Sequence, residues 1–244
     1  VVKSGVSLID LASGGQQIST WKASSEIGSA AVEGGILLVG MRGGELQSLR
    51  VQEGKLVDSG YVFFLYAISM HKACLKLISS ISSYGLFRST TAPSEIATLT
   101  ITPSTLPFSS PFAAIACWDN SLSIMSALDL SSYSSLSPTP TLARSLLFAA
   151  LPGAKPQLFV GLGDGSLVCQ TFTDEGVWHE GLGLERRTIG LGSTAVGLAK
   201  VGETVFVSCD TPAVLHAEHG RMSYSSVNIK VGFLLFPSSL ESSS

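Results

Sequence analysis

Gly161-Leu162-Gly163-Asp164-Gly165 has the glycine spacing of a loop that could cradle a phosphate on its main-chain N–H groups. That chemistry needs glycines that leave a strand and open a helix. Here a second strand-like run follows, so the segment reads as the turn of a hairpin. His216-Ala217-Glu218-His219 offers two imidazoles three residues apart. Along a strand this spacing aims them at opposite faces, and the order is not that of a helical HExxH zinc site. Thr173-Asp174-Glu175-Gly176-Val177-Trp178-His179-Glu180 gathers carboxylates and one His. No nucleophile or partner base accompanies them, and such clusters usually lie on solvated loops. No catalytic residue, metal ligand or cofactor is therefore assigned. Trp118, followed by Asp119 and Asn120, is different. It occupies a hairpin turn, where a side chain faces the rim or a flat end rather than the core. One reading has the indole cover the sheet below. The other makes it a partner contact, a role that suits a large amphipathic ring.

The bulk numbers narrow the function classes. Fifteen basic against eighteen acidic residues leave a formal charge of −3, which is no electrostatic footprint for a phosphate backbone. Direct nucleic-acid binding is not expected. An apolar content of 45% with only 14% charged residues describes a globular chain, most of it buried. Cys74, Cys117, Cys169 and Cys209 lie dozens of residues apart with no CxxC pair. That spacing argues against a zinc knuckle or a compact disulfide framework, and for a reducing compartment. No signal peptide is visible, and a chain that opens on Val1 reads as a piece of a longer protein. The longest apolar stretch, 61–70, is stopped by His71 and Lys72, well short of the ~20 residues of a membrane-crossing helix. A soluble protein with no membrane partner is expected.

What must position these residues is a repeat. Leu38-Val39-Gly40-Met41-Arg42-Gly43-Gly44-Glu45-Leu46 aligns without gaps on Phe159-Val160-Gly161-Leu162-Gly163-Asp164-Gly165-Ser166-Leu167. Two weaker copies are Ala114-Ile115-Ala116-Cys117-Trp118-Asp119-Asn120-Ser121-Leu122 and Phe206-Val207-Ser208-Cys209-Asp210-Thr211-Pro212-Ala213-Val214. Each runs apolar, β-branched, small, turn, apolar. Asp164-Gly165 and Asp119-Asn120 tolerate the positive φ of tight hairpins, so each copy predicts two antiparallel strands around a short turn. The small third residues, Gly40, Ala116, Gly161 and Ser208, follow one another at spacings of 76, 45 and 47. Two of these spacings fit the ~40–45 residues of a four-stranded propeller blade, and the first is too long by about thirty.

Flanking strands are expected at 27–32, 96–102, 144–151 and 195–201, and outer strands at 186–190 and 222–230. The runs 5–12 and 16–23 read as the last strands of an earlier blade, and 231–236 opens a later one. The chain is therefore an all-β, WD40-like partial β-propeller of roughly four and a half blades of a seven-bladed ring. Its parts are 1–24 (the end of a blade), blades at 25–60, 92–142, 143–193 and 194–230, and 231–244 (the start of the next). Residues 61–91 are an anomalous insertion without hairpin signals. A genuine surface insertion, a translated retained intron and a peptide-binding arm are three readings of it, and a short amphipathic helix would fit its pattern. Ser131-Ser132-Tyr133-Ser134-Ser135-Leu136-Ser137-Pro138-Thr139-Pro140 has the composition of a loop.

Gly161-Leu162-Gly163-Asp164-Gly165-Ser166-Leu167, then Cys209-Asp210-Thr211-Pro212-Ala213-Val214, then Ser226-Val227-Asn228-Ile229-Lys230 resemble successive signatures of one family. It is that of the large subunit of UV-damaged DNA-binding protein. Trp21-Lys22 and Ile101-Thr102-Pro103 extend the similarity to most of the chain outside 61–91. Thr211 stands where that family has Arg, and Cys117-Trp118-Asp119-Asn120 stands where it has Leu-Trp-Thr-Asp. The resemblance implies a three-propeller adaptor of a nuclear ubiquitin ligase, present also in the cytoplasm. Its middle propeller docks the type-4 cullin while the other two receive substrate receptors. Damaged DNA is reached only through a partner subunit. Trp118, with Asp119 and Asn120 beside it, then falls at the cullin surface. The same superfamily holds the large subunit of the cleavage and polyadenylation factor and a subunit of splicing factor 3b, so an RNA-processing scaffold is the alternative.

Overall fold

A computed structural model describes residues 4–10, 12, 14–52, 55–60, 89–92, 94–128, 130, 132–136, 138–172, 186–218 and 221–227. All regular structure among them is antiparallel strand, in two compact units, Val1–Pro140 and Thr141–Ser244.

The first unit opens with a two-stranded sheet, β1 (Gly5–Asp10) and β2 (Gln16–Lys22). A second sheet is ordered β3 (Ile27–Glu33), β4 (Ile36–Met41), β5 (Glu45–Gln52) and β6 (Lys55–Gly60), with β7 (Ser89–Thr91) also paired to β5. The third runs β8 (Ile96–Ile101), β9 (Phe112–Cys117), β10 (Leu122–Ser126) and β11 (Ser132–Leu136). The second unit holds two four-stranded meanders. One is β12 (Ala143–Ala149), β13 (Gln157–Leu162), β14 (Ser166–Thr171) and β15 (Arg186–Gly190). The other is β16 (Gly197–Val201), β17 (Thr204–Ser208), β18 (Ala213–Glu218) and β19 (Arg221–Ser226).

The second strands β4, β9 and β13 read as near-unbroken apolar runs because they are buried on both faces. Ile36–Met41 and Phe112–Cys117 are buried throughout. Side chains alternate across the sheet, so Leu38 joins Leu46, Ile96, Leu99 and Ile115 on one side of β4, while Leu37, Val39 and Met41 meet Val6 and Leu49 on the other. The second unit has its own core, in which Phe159, Leu167 and Val196 pack with Val205, Val207 and Leu215.

The small third residue of the repeat has a packing cause. A β-carbon on Gly40 would lie 2.7 Å from Ser29 Oγ and 3.1 Å from both Ile96 Cγ2 and Leu99 Cδ2. One on Gly161 would overlap Ser145 Oγ and the main-chain carbonyl of Val196. In each unit the first strand of the next sheet, or the chain entering it, approaches at this point. The first strands β3, β8 and β12, though not β16, share a further irregularity, a register shift between Ile27 and Ser29, Ile96 and Thr98, and Ala143 and Ser145.

All four predicted hairpins form. In three of them the third residue faces the ninth (Gly40 and Leu46, Ala116 and Leu122, Gly161 and Leu167). Their turns pass through positive φ at Gly44 (81°), Asn120 (66°) and Gly165 (85°). The fourth copy departs, with Val207 facing Ala213 and the loop offset by one residue. Pro212 occupies the slot of the positive-φ residue, and its ring fixes φ near −65°.

One expectation is corrected. The Ser/Pro stretch 131–140 is not simply a loop, since Ser132–Leu136 is the outer strand β11, paired with β10. An outer strand is held by main-chain bonds along one edge, so its side chains need not look strand-like. Ser89–Thr91, at the end of the span expected as an insertion, forms the short strand β7. The rest of that insertion, 61–88, lies outside the described residues, as do 173–185, His219, Asn228 and 231–236.

Candidate functional site

Each hairpin turn is tied to the chain entering its sheet and to the chain leaving it. On the entry side the first turn residue donates its N–H to the segment ahead of the first strand: Arg42 to the Glu26 carbonyl (2.8 Å), Trp118 to Glu95 (2.9 Å) and Gly163 to Leu142 (2.9 Å). On the exit side the third turn residue accepts an N–H from the segment after the outer strand. Gly44 takes Ala92 (2.6 Å), Asn120 takes Thr139 (3.0 Å), Gly165 takes Leu191 (2.9 Å) and Pro212 takes Val227 (2.7 Å). In the last sheet the Asp210 carboxylate replaces the entry bond, accepting the N–H groups of Ser193 and Thr194 and the Ser193 hydroxyl.

The residue at the first turn position therefore points outward from a fixed main chain. In the first unit these residues are Arg42 and Trp118. Trp118 is 52% exposed, so about half of its surface is open to a partner. Beside it Asp119 Oδ1 accepts the Ser121 hydroxyl at 2.6 Å and the Ser121 N–H at 3.0 Å. The hydroxyl bond in particular holds the Asp119 pKa below its ordinary 3.8. Asn120 serves the turn instead, through its left-handed φ, its N–H to the Cys117 carbonyl (3.0 Å) and its own carbonyl, which also receives the Thr139 hydroxyl (3.2 Å).

The Trp118 turn has charged neighbours that lie far from it along the chain. Arg42 Nη1 lies 2.9 Å from Glu26 Oε2, and its Nε lies 3.6 Å from Glu95 Oε1. Glu95 thus touches both turns of the unit, Trp118 through its main-chain carbonyl and Arg42 through its carboxylate. The repeat alignment already placed Arg42 in the slot of Trp118, and that was the available signal. The structure brings Trp118, Asp119, Arg42 and Glu95 to the same end of their two sheets, an aromatic anchor beside partly exposed charges. Such a patch can bury a partner's side chain without chemistry. Among the described residues, no group of three or more His, Cys, Asp or Glu is placed to hold a metal ion. His216 lies on β18, and no described helix is long and apolar enough to cross a membrane.

A sheet repeat of this kind, with four-stranded antiparallel meanders and doubly tied turns, is that of propeller blades. Residues 1–234 match the family model of the RSE1/DDB1/CPSF1 second β-propeller. The chain belongs to that family. The RSE1/DDB1/CPSF1 second propeller is a scaffold-type domain, and the all-β, four-stranded sheets found here are those of a partial propeller. No curated protein matches the chain at a significant level.

Proposed function

We propose that this propeller is a docking scaffold without catalysis of its own, and that within its family it is the DDB1-like one, seating the type-4 cullin of a nuclear ubiquitin ligase. The observation that carries the docking role is Trp118, half exposed on a turn whose main chain is tied on both flanks. A surface that is already ordered loses little conformational entropy on binding, and a Trp desolvated at the centre of an interface contributes more than its area suggests. Asp119 and Asn120 would frame the indole, with Arg42 and Glu95 at the rim. The cullin identity is supported by the 209–214 and 226–230 segments, whose Cys209 and Asn228 signatures resemble the UV-damaged DNA-binding protein more than its RNA-processing relatives. Substrate receptors would bind the other propellers of the parent protein, and damaged DNA would be reached through them. The site of work would be the nucleus, with a cytoplasmic pool.

The test is affinity capture of the intact parent protein from cell extract, alone and as Trp118→Ala. Recovery of the type-4 cullin with the parent, and its loss with the variant, is expected. Recovery of polyadenylation or splicing factors in place of the cullin would move the protein to the RNA-processing branch. Equal cullin recovery by both forms would remove Trp118 from the interface.

A further inference from the structure

We infer that β6 and β7 are two halves of one outer strand, and that residues 61–88 are an insert the sheet does not need. Along the edge of β5 away from β4, antiparallel pairing continues from end to end, with one register shift between Ser48 and Leu49. From its far end, Gln52 faces Lys55, Val51 faces Leu56, Arg50 faces Val57, Leu49 faces Asp58 and Ser48 faces Gly60. The next residue, Gln47, faces Ser89, followed by Leu46 with Thr90 and Glu45 with Thr91. The partner changes from β6 to β7 without one residue of β5 being skipped. Gly60 and Ser89 therefore stand on consecutive rungs of the same edge. An additional fifth strand would pair with the outer edge of β6. β7 instead completes the position that β6 leaves unfinished.

The second unit shows the same strand unbroken. β15 runs along β14 from Arg186, opposite Gln170, to Gly190, opposite Ser166, and then Leu191 gives its N–H to the Gly165 carbonyl. β7 ends in the same way, with Thr91 opposite Glu45 and then the Ala92 N–H on the Gly44 carbonyl. β6 supplies the first rungs of such a strand, and β7 supplies the last rungs and the tie to the turn. An outer strand is also where an interruption costs least, because it is paired on one side only. The entropy of closing a loop grows only with the logarithm of its length. The long first spacing of the repeat then has a simple cause, since the diversion between Gly60 and Ser89 accounts for it.

Two deletions in the full chain test this. One removes 61–88 and joins Gly60 to Ser89, and the other removes 61–91 and so takes β7 as well. The readouts are the melting temperature and amide hydrogen exchange in peptides covering β5 and Ala92. The first deletion is expected to keep the melting temperature within about 2 °C and to leave exchange across Glu45, Leu46 and Gln47 unchanged. The second should lose that protection and melt lower by about 4 °C or more. A third form carries a specific-protease site within 71–76, and after cutting, its two pieces should stay together with β5 still protected. A first deletion that unfolds or melts as low as the second, or a cut chain that loses protection at Glu45 to Gln47, would overturn the inference.

Discussion

Ser145 donates its hydroxyl hydrogen to the main-chain carbonyl of Val196 at 2.7 Å, joining one sheet of the second unit to the chain that enters the next. Gly161, facing Ser145 across the β12–β13 ladder, leaves the space for this approach. A β-carbon at 161 would meet main chain, whereas at Gly40 it would meet only side-chain ends. Gly161→Ala should therefore destabilise by about 1–3 kcal/mol, and Gly40→Ala by less. Urea unfolding of the two variants checks the order, and a larger loss at Gly40 would contradict it.

Ser29 stands opposite Gly40 as Ser145 stands opposite Gly161. Its hydroxyl is buried and, among the described residues, has no hydrogen-bond partner. Removing a made bond costs about 1 kcal/mol, while removing an unsatisfied group costs nothing or stabilises. Ser145→Ala should lower the unfolding midpoint and Ser29→Ala should leave it or raise it. Equal losses would show that the two hydroxyls are in equivalent surroundings.

At the Trp118 turn, stability and binding should separate. Trp118→Ala removes an exposed side chain and should change stability by no more than about 0.5 kcal/mol, while partner affinity falls by about 2 kcal/mol or more, roughly thirtyfold. Asn120→Val should do the reverse to the fold, costing about 1–2 kcal/mol because a β-branched residue is strained at a φ of 66°. Asn120→Gly should be tolerated. Calorimetric melting of the three variants, with titration of the partner, distinguishes these outcomes.

Asp210 carries a pH signature. The Thr194 side chain, then the N–H and hydroxyl of Ser193, hydrogen-bond its carboxylate and hold its pKa at about 2, below the ordinary 3.8. The folded chain thus favours the charged form, and the stabilisation is complete above about pH 4 and drains away as pH falls toward 2. The melting-temperature gap between the wild type and Asp210→Asn should be widest near neutrality and close over that interval. A gap that grows on acidification would contradict the assignment.

Burial pushes the Cys169 thiol up to about 12, with Arg187 opposing weakly. Almost no thiolate exists there at neutral pH, and the thiolate is the reactive form. Alkylation of the native protein at pH 8, mapped by mass spectrometry, should mark the partly exposed Cys209 well before the buried Cys169 and Cys117. Early modification of Cys169 would show that the β14 core opens readily.

What the residues disclosed in advance was whatever is local. Asp164-Gly165 and Asp119-Asn120 announce their turns because the φ they tolerate is a property of two adjacent residues. The apolar runs before them announce strands because both faces are covered. β11 was hidden by its serines, since an outer strand is held by its main chain. β7 was hidden because its partner, Glu45 to Gln47, is remote in sequence, and no local pattern encodes such a pairing. The same division holds at the site. Trp118 was legible from its turn, whereas the reach of the Glu95 carboxylate to Arg42 depends on two sheets standing side by side.

The ties on either side of Trp118 have a mechanical side. Its N–H is fastened to the residue just ahead of the strand that begins the sheet, and two residues later the Asn120 carbonyl is fastened to the segment that leaves it. A tug on the indole is therefore not absorbed by a bending loop but is passed to the frame of the whole sheet. A partner gripping this side chain holds a lever with no slack in its joint.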